Sequence, residues 1–406
     1  MAIGKTAVAE TVYAVDGIQL GVTQAEIKYS NRKDLVVLEI PEGATVAATF
    51  TQNRFCASPV EICKKHLAEA TPRYLLINTG YANAGNGQPG YDDAMATCEA
   101  VAKQAGVAVN QILPFSTGVI GEPLPVDRIV AGLPACFADF SADNWVSAAE
   151  GIMTTDTRPK VASVKVDHEG ESFVITGMSK GSGMIKPNMA TMLGYIATDL
   201  KVPSALLQET FSEAVEHSFN CVSVDGDTST NDSCILVASG KSSLQLSSSL
   251  DPLFEKFKSA LQDICLDLAQ ALIKDGEGVT KFVEILVEGG ASKEDCKTVA
   301  YTVAHSPLVK TALFASDPNW GRILAAVGRA EIETLDVNKV NIWLGDVALI
   351  ENGGKAASYQ ESAGAAVMEQ EEILIRIDLG VGDSVAKVWT TDFSYDYVKI
   401  NAEYRS

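Results

Sequence analysis

An α/β fold class follows from three features of the 406-residue sequence. Short β-type apolar runs recur through both halves, amphipathic helical stretches lie between them, and a glycine-rich turn near the middle feeds directly into a buried strand. No internal repeat or low-complexity tract interrupts this alternation.

In chain order, Asp34-Leu-Val-Val-Leu-Glu-Ile40 and Thr45-Val-Ala-Ala-Thr-Phe50 read as strands separated by the turn Pro41-Glu-Gly43. Tyr74-Leu-Leu-Ile-Asn78 is a further buried strand that leads into a glycine-rich loop ending at Gly90. Asp92 and Asp93 are expected to open a helix closed by Gly106, with acidic residues at its positive end. Ile112 to Gly121 carries Ser116-Thr117-Gly118, read as a turn. Such a turn can aim a backbone N–H and a hydroxyl at one spot, as an oxyanion hole requires, or simply use Gly118 for positive φ. Residues 143–151 read as a helix and Met153-Thr-Thr-Asp-Thr157 as a polar loop. Residues 161–166 and 172–177 alternate around His-Glu-Gly as a hairpin whose second arm delivers Lys180.

Residues 204–219 have helical spacing after Pro203. Ser223-Val-Asp-Gly-Asp-Thr-Ser-Thr-Asn-Asp232 is dense in turn formers but lacks the terminal Glu of an EF-hand loop. A strand follows at 234–238. The clearest helix begins at Asp251-Pro252, with apolar residues at 253, 254, 257, 261, 264, 268 and 272. It ends in Lys274-Asp-Gly-Glu277-Gly, where Glu277 is either a solvated turn residue or a carboxylate that needs a cation, such as a substrate ammonium. A strand follows at 280–288. Ser292 caps the next helix and 317–322 start another. Strands are expected at 340–350, 373–379, 386–390 and in the tail from Tyr397 onward.

The central stretch, Gly177-Met-Ser-Lys-Gly-Ser-Gly-Met-Ile-Lys-Pro-Asn-Met-Ala190-Thr191-Met-Leu, places a hydroxyl residue at the head of an apolar run. Such a Thr can be an ordinary strand residue, since β-branching suits the pleat. It can also attack its own preceding peptide bond and then use its new α-amine as base. Neither a phosphate loop nor a dinucleotide fingerprint fits: Lys186 precedes Pro187, and Gly181-Ser-Gly183 lacks a third glycine.

Gly-Met-Ile-Lys-Pro-Asn-Met-Ala-Thr-Met-Leu resembles the self-cleavage segment of the ornithine acetyltransferase family, the glutamate N-acetyltransferases of arginine biosynthesis, and other segments along nearly the whole chain resemble it too. The resemblance implies a layered α-β-β-α sandwich of the self-cleaving N-terminal-nucleophile type. It implies a cut between Ala190 and Thr191 into an α chain (1–190) and a β chain (191–406), assembled as α2β2. It implies Thr191 as nucleophile and Thr117 with Gly118 as oxyanion donors. Thr154, Glu277, Asn401 and Ser406 are expected at the substrate, with Lys180 a natural partner for its carboxylate. The expected reaction passes acetyl from N-acetylornithine to glutamate through acetyl-Thr191, with no cofactor or metal; acetyl-CoA is left open as a second donor. An N-terminal-nucleophile aminopeptidase or amidase shares the chemistry, and an uncleaved binding protein with a structural Thr191 is the third reading. Tyr81, the stretch 84–87 and residues 391–393 depart from the commoner family wording, which bears on substrate preference.

Composition bounds these readings. The 52 acidic and 32 basic residues give a formal charge of −20, which argues against nucleic acid and membrane surfaces as partners. The N-terminus shows no signal-type apolar region, and eight cysteines without a C-x-x-C pair suggest reduced thiols in a cytoplasmic protein. Four histidines, His66, His168, His217 and His305, lack metal spacing.

Overall fold

A computed structural model describes residues 2–4, 6–186 and 192–404. The chain divides into two compact units. The larger comprises Thr6–Asn220 and Asp227–Leu272, and the smaller Met1–Lys5, Cys221–Gly226 and Ile273–Ser406.

The larger unit carries strands β1 (Gln19–Thr23), β2 (Leu35–Glu39), β3 (Thr45–Phe50), β4 (Tyr74–Tyr81), β5 (Ile112–Val119), β6 (Lys160–His168), β7 (Glu171–Lys180) and β8 (Leu193–Thr198). After β9 (Val222–Ser223), which belongs to the smaller unit, comes β10 (Ser233–Ala238). These form a four-stranded sheet ordered β1-β2-β4-β5 and a five-stranded sheet ordered β3-β10-β8-β7-β6. The turn at Pro41–Gly43 therefore passes the chain from one sheet to the other.

Strand periodicity explains the layers. In β2, Val36 and Leu38 join a core shared with Met178, Leu193, Tyr195 and Ile235 of the second sheet. Leu35 and Val37, on the other face, join a core with residues of α2 (Gly87–Ala105) and α3 (Val126–Ala138). Both faces are covered, so the strand reads as an unbroken apolar run. The outer face of the second sheet packs on α5 (Ser204–Glu216) and α6 (Phe254–Lys274). Gln208 of α5 bonds the Ala48 backbone, and Phe173 of β7 meets Phe257 of α6 at 6.3 Å. Gly177 lets α6 close in: a Cβ there would stand 2.9 Å from Ile196 and 3.1 Å from Leu268. Helix, sheet, sheet, helix is the order within this unit, as expected. Helices α1 (Ser58–Glu69) and α4 (Trp145–Gly151) complete it. The β6–β7 hairpin closes on Glu169 and Gly170 at φ of 52° and 88°, a type I′ geometry that matches strand twist.

The smaller unit has a seven-stranded sheet ordered β14-β13-β12-β15-β11-β16-β9. Its further strands are β11 (Phe282–Gly290), β12 (Asn341–Leu344), β13 (Val347–Glu351), β14 (Gly354–Lys355), β15 (Glu372–Asp378) and β16 (Ser384–Thr391). Its helices are α7 (Lys293–Ala304), α8 (Pro307–Phe314), α9 (Trp320–Gly328), α10 (Glu361–Met368) and α11 (Tyr395–Ala402). Residues of α7, α8 and α9 share one core with the sheet. Ser292 caps α7 by accepting from Asp295 N–H, as the sequence predicts.

Three expectations are corrected. The helix expected from Asp92 starts at Gly87, so its first turn holds no acidic residue. Ser116-Thr-Gly118 is the end of β5, not a turn. The tail is helix α11, opened by Ser394 capping Tyr397 N–H; the alternation of Tyr397 and Lys399 is not a strand pattern.

All eight cysteines are free. Among the described residues no helix is long and apolar enough to cross a membrane, and no cluster of three metal-ligating side chains occurs.

Candidate active site

The last residue of β7 is a buried lysine. Strand pairing sets Lys180 opposite Leu193, two residues past Thr191. An ammonium taken out of water must find acceptors, and Lys180 Nζ donates to Thr117 Oγ1 at 3.0 Å and to Thr154 Oγ1 at 3.2 Å. Three expected site residues, from β7, β5 and the loop after α4, thus meet at one cation. Accepting from Lys180 leaves the Thr117 hydroxyl hydrogen free to donate elsewhere.

Gly118 follows Thr117 where parallel β4 and β5 touch. Its φ is 133°, and a Cβ would lie 2.3 Å from the Gly80 carbonyl carbon. Only glycine fits, and β5 can come this close to β4 only because of it.

The loop Met153–Thr157 is anchored by its own Asp156. This buried carboxylate accepts from Lys160 Nζ at 2.6 Å, Gly181 N–H at 2.7 Å and Thr154 N–H at 3.0 Å. Burial alone would raise its pKa, but the Lys160 and Lys180 ammoniums and these hydrogen bonds outweigh that and hold it well below the usual carboxylate range. Asp156 thereby ties Thr154 to the end of β7.

Asp232 closes the polar run 223–232 that the sequence singles out, although the residue itself is not among the expected site residues. Its Oδ1 accepts from Met192 N–H at 3.0 Å, and Ser233 N–H donates to the Met192 carbonyl. Neighbouring Asn231 donates to the Ala82 carbonyl at 2.6 Å and the Ser116 carbonyl at 3.0 Å. The pair ties the start of β8 to the end of β5. The available signal was the Asn/Asp/Ser/Thr density of 223–232. Ala190 and Thr191 lie outside the described residues, as does Ser406.

In the smaller unit Glu277 is buried at the end of α6 and accepts from Asn401 Nδ2 at 2.8 Å, which joins two more expected residues. The donor to this carboxylate is a neutral amide of α11, which also bonds the Tyr397 carbonyl. Lys310 of α8 is a fully buried cation that bonds Thr390 Oγ1 at 3.0 Å and the Thr391 carbonyl, and sits 4.6 Å from the Phe393 ring. Burial pushes its pKa down to about 7, against the pull of Asp392 and Asp225.

A layered α/β unit with a buried lysine–threonine cluster beside the start of a central strand defines a site suited to stabilising negative charge. A family model described as the ArgJ family matches residues 19–406, and the chain belongs to that family. It is 55% identical over 397 residues to the arginine biosynthesis bifunctional protein ArgJ of Pseudomonas fluorescens (strain Pf0-1), covering 98% of each chain. The protein of the same name from Psychrobacter arcticus is 54% identical over 407 residues, covering 100% of both. A crystal structure of ArgJ from Bacillus halodurans is 35% identical, with a TM-score of 0.48 over 50% of this chain and 95% of that one. The ornithine acetyltransferase of Mycobacterium tuberculosis, solved with ornithine, is 30% identical, with a TM-score of 0.39 over 43% and 93%.

Proposed function

We propose that this chain is a self-processing acetyltransferase of arginine biosynthesis that moves acetyl from N2-acetylornithine to glutamate. The observation that carries the reading is the bond from Lys180 to Thr117, made at the ladder position opposite Leu193. Family membership supplies the substrates. Scission between Ala190 and Thr191 leaves Thr191 at a new N-terminus, where its α-amine takes the proton as its hydroxyl attacks the acetyl carbonyl. Thr117 O–H and Gly118 N–H stabilise the tetrahedral oxyanion, with Lys180 polarising Thr117. Ornithine leaves, glutamate enters, and its amine collects the acetyl group. Thr154, Glu277, Asn401 and Ser406 hold the substrates.

The fragments 1–190 and 191–406 stay associated and pair as α2β2 in the cytoplasm, and the chemistry invokes no resident cofactor. The relatives are named bifunctional, and acetyl-CoA as a second acetyl donor fits that word.

Denaturing electrophoresis and N-terminal sequencing test the reading. Two fragments are expected, one beginning at Thr191, while Thr191→Ala remains a single inactive chain. Transfer from N-acetylornithine, then from acetyl-CoA, to glutamate is assayed on the matured protein. An intact chain with full activity would sink the mechanism, and acetate release unaffected by glutamate would point to a hydrolase.

A further inference from the structure

The loop between β1 and β2 presents a lysine that the mechanism above leaves unused. Two polar clamps fix the base of this loop. Buried Asp34 accepts Ala25 N–H at 2.7 Å and Ile27 N–H at 2.6 Å, one with each carboxylate oxygen. Arg128 of α3 donates to the Glu26 carbonyl at 2.6 Å. Lys28 follows buried Ile27, so its stem starts from a fixed point.

Gly80 decides where that stem goes. Its φ is 105°, and a Cβ there would stand 2.7 Å from Lys28 Cβ. Only the missing side chain lets Lys28 lie against the end of β4 here. Gly80 is also the ladder partner of Gly118, proposed above as an oxyanion donor. Lys28 therefore sits one strand away from that donor.

The ammonium is held in place but poorly satisfied. Nζ lies 5.4 Å from the centroid of the Tyr81 ring and 5.7 Å from that of Tyr29. Glu122 Oε2 pairs with it at 3.7 Å, beyond hydrogen-bond distance. Among the described residues Nζ makes no hydrogen bond, and the side chain is only 16% exposed. Ring faces attract a cation without consuming its N–H groups, so three donors stay available. A largely desolvated ammonium with unused donors is a receptor for an anionic group.

The two substrates of the proposed transfer differ in charge at the end of the side chain. Glutamate, the acceptor, ends in a carboxylate, whereas N-acetylornithine, the donor, ends in an ammonium. A fixed cation discriminates between them by attraction and repulsion together. We propose that Lys28 binds the side-chain carboxylate of the acceptor amino acid and determines acceptor specificity, with Tyr29 and Tyr81 holding its ammonium. This rests on the acetyl-transfer reading above.

Lys28→Met keeps the stem and removes the charge. On matured protein it is expected to raise KM for glutamate about tenfold, the loss of one charge-assisted contact, and to leave KM for N-acetylornithine unchanged. Glutamine offered as acceptor should be used equally by wild type and variant. Lys28→Arg keeps the charge and should restore most of the affinity for glutamate. Glu122→Gln tells a ligand site from a plain ion pair. A pair that merely tied the loop would make Lys28→Met and Glu122→Gln behave alike. A ligand site gives them opposite signs, because Glu122 competes for the ammonium, and Glu122→Gln should lower KM for glutamate roughly twofold.

Equal KM for glutamate in wild type and Lys28→Met overturns the assignment. So does a shift confined to acetyl-CoA, or a parallel loss in Lys28→Met and Glu122→Gln. Lys28→Gln is the second neutral variant, and failure of both to fold overturns the proposal in favour of a structural lysine. Titration calorimetry with glutamate on the same proteins keeps the test independent of turnover. Wild type that transfers no acetyl but binds glutamate tenfold more tightly than Lys28→Met would remove the acetyl-transfer reading and leave the site standing. Glutamate bound equally by both would remove the site alone, and no binding to wild type would remove it as well.

Discussion

Lys180 Nζ lies 3.0 Å from Thr117 Oγ1, so a buried cation donates into the hydroxyl proposed to face the oxyanion. A hydroxyl polarised in this way is a stronger donor through its own hydrogen. Thr117→Ala is expected to lower kcat by roughly 10²–10³ with KM nearly unchanged, and Thr117→Ser to keep most of the rate. Lys180→Met should fall in the same range, and the double variant should be little worse than the worse single, because the two act as a unit. Steady-state kinetics on matured protein check all four.

Asp156 gives a prediction about stability. Asp156→Asn leaves Lys160 without its buried partner and should destabilise the larger unit by about 3–5 kcal/mol at neutral pH. The folded pKa lies below the unfolded value, so this contribution is fully present above the unfolded pKa and is lost as pH falls through the folded one. Melting temperatures of wild type and variant should keep a constant gap from neutral pH down to about 5, and the gap should narrow below about 4. A gap that holds at low pH would mean the carboxylate charge is not what stabilises the loop.

Lys310 predicts a slope of the same sign in a different pH window. Its pKa is depressed to about 7 in the folded state, so between there and its unfolded value of 10.5 the unfolded chain binds more protons. Stability from this residue therefore rises with pH across that window. Relative to Lys310→Met, wild type should gain roughly 1.4 kcal/mol per pH unit between pH 8 and 10, and nothing below about 6. Urea midpoints of the two proteins at each pH measure it; parallel curves would refute it.

The tail gives the last prediction. Asn401 of α11 bonds Glu277, so a tag fused after Ser406 should disturb the substrate end that both are proposed to serve, while an N-terminal tag should not. A raised KM is expected, with scission at Thr191 unaffected. Asn401→Ala should act in the same direction. Equal kinetic constants for the two tagged forms would remove Asn401 and Ser406 from the site.

The strands with both faces covered were legible because a doubly buried strand is a continuous apolar run, as in 35–38 and 74–77. The cap at Ser292 and the stop at Gly106, which takes up φ of 71°, were legible as local chemistry. The tail was misread because eight residues with few apolar positions satisfy a two-residue and a 3.6-residue period about equally well; the Ser394 cap decides it. Lys180 and Thr117 were legible only through resemblance, since the strands that bring them together lie 63 residues apart in sequence. Asp232 and Asn231 were legible only as part of the polar run 223–232, not as ties: their partners lie 40, 115 and 149 residues away, and nothing local in an Asn-Asp pair distinguishes a structural tie from a solvated turn.

β8 lies in the middle of its sheet, paired along one edge with residues 175–180 and along the other with Ser233–Ala238. The ladder bonds along both edges, rather than the peptide at its head, would hold this strand in place after the proposed scission. Scission at its head would convert a covalent tether into a non-covalent one without exposing a sheet edge. Two polypeptides translated separately would face the harder problem of inserting a central strand between partners already free to pair with each other. On the proposed scission, the single polypeptide would act as an assembly template whose covalent link is dispensable once the sheet has closed.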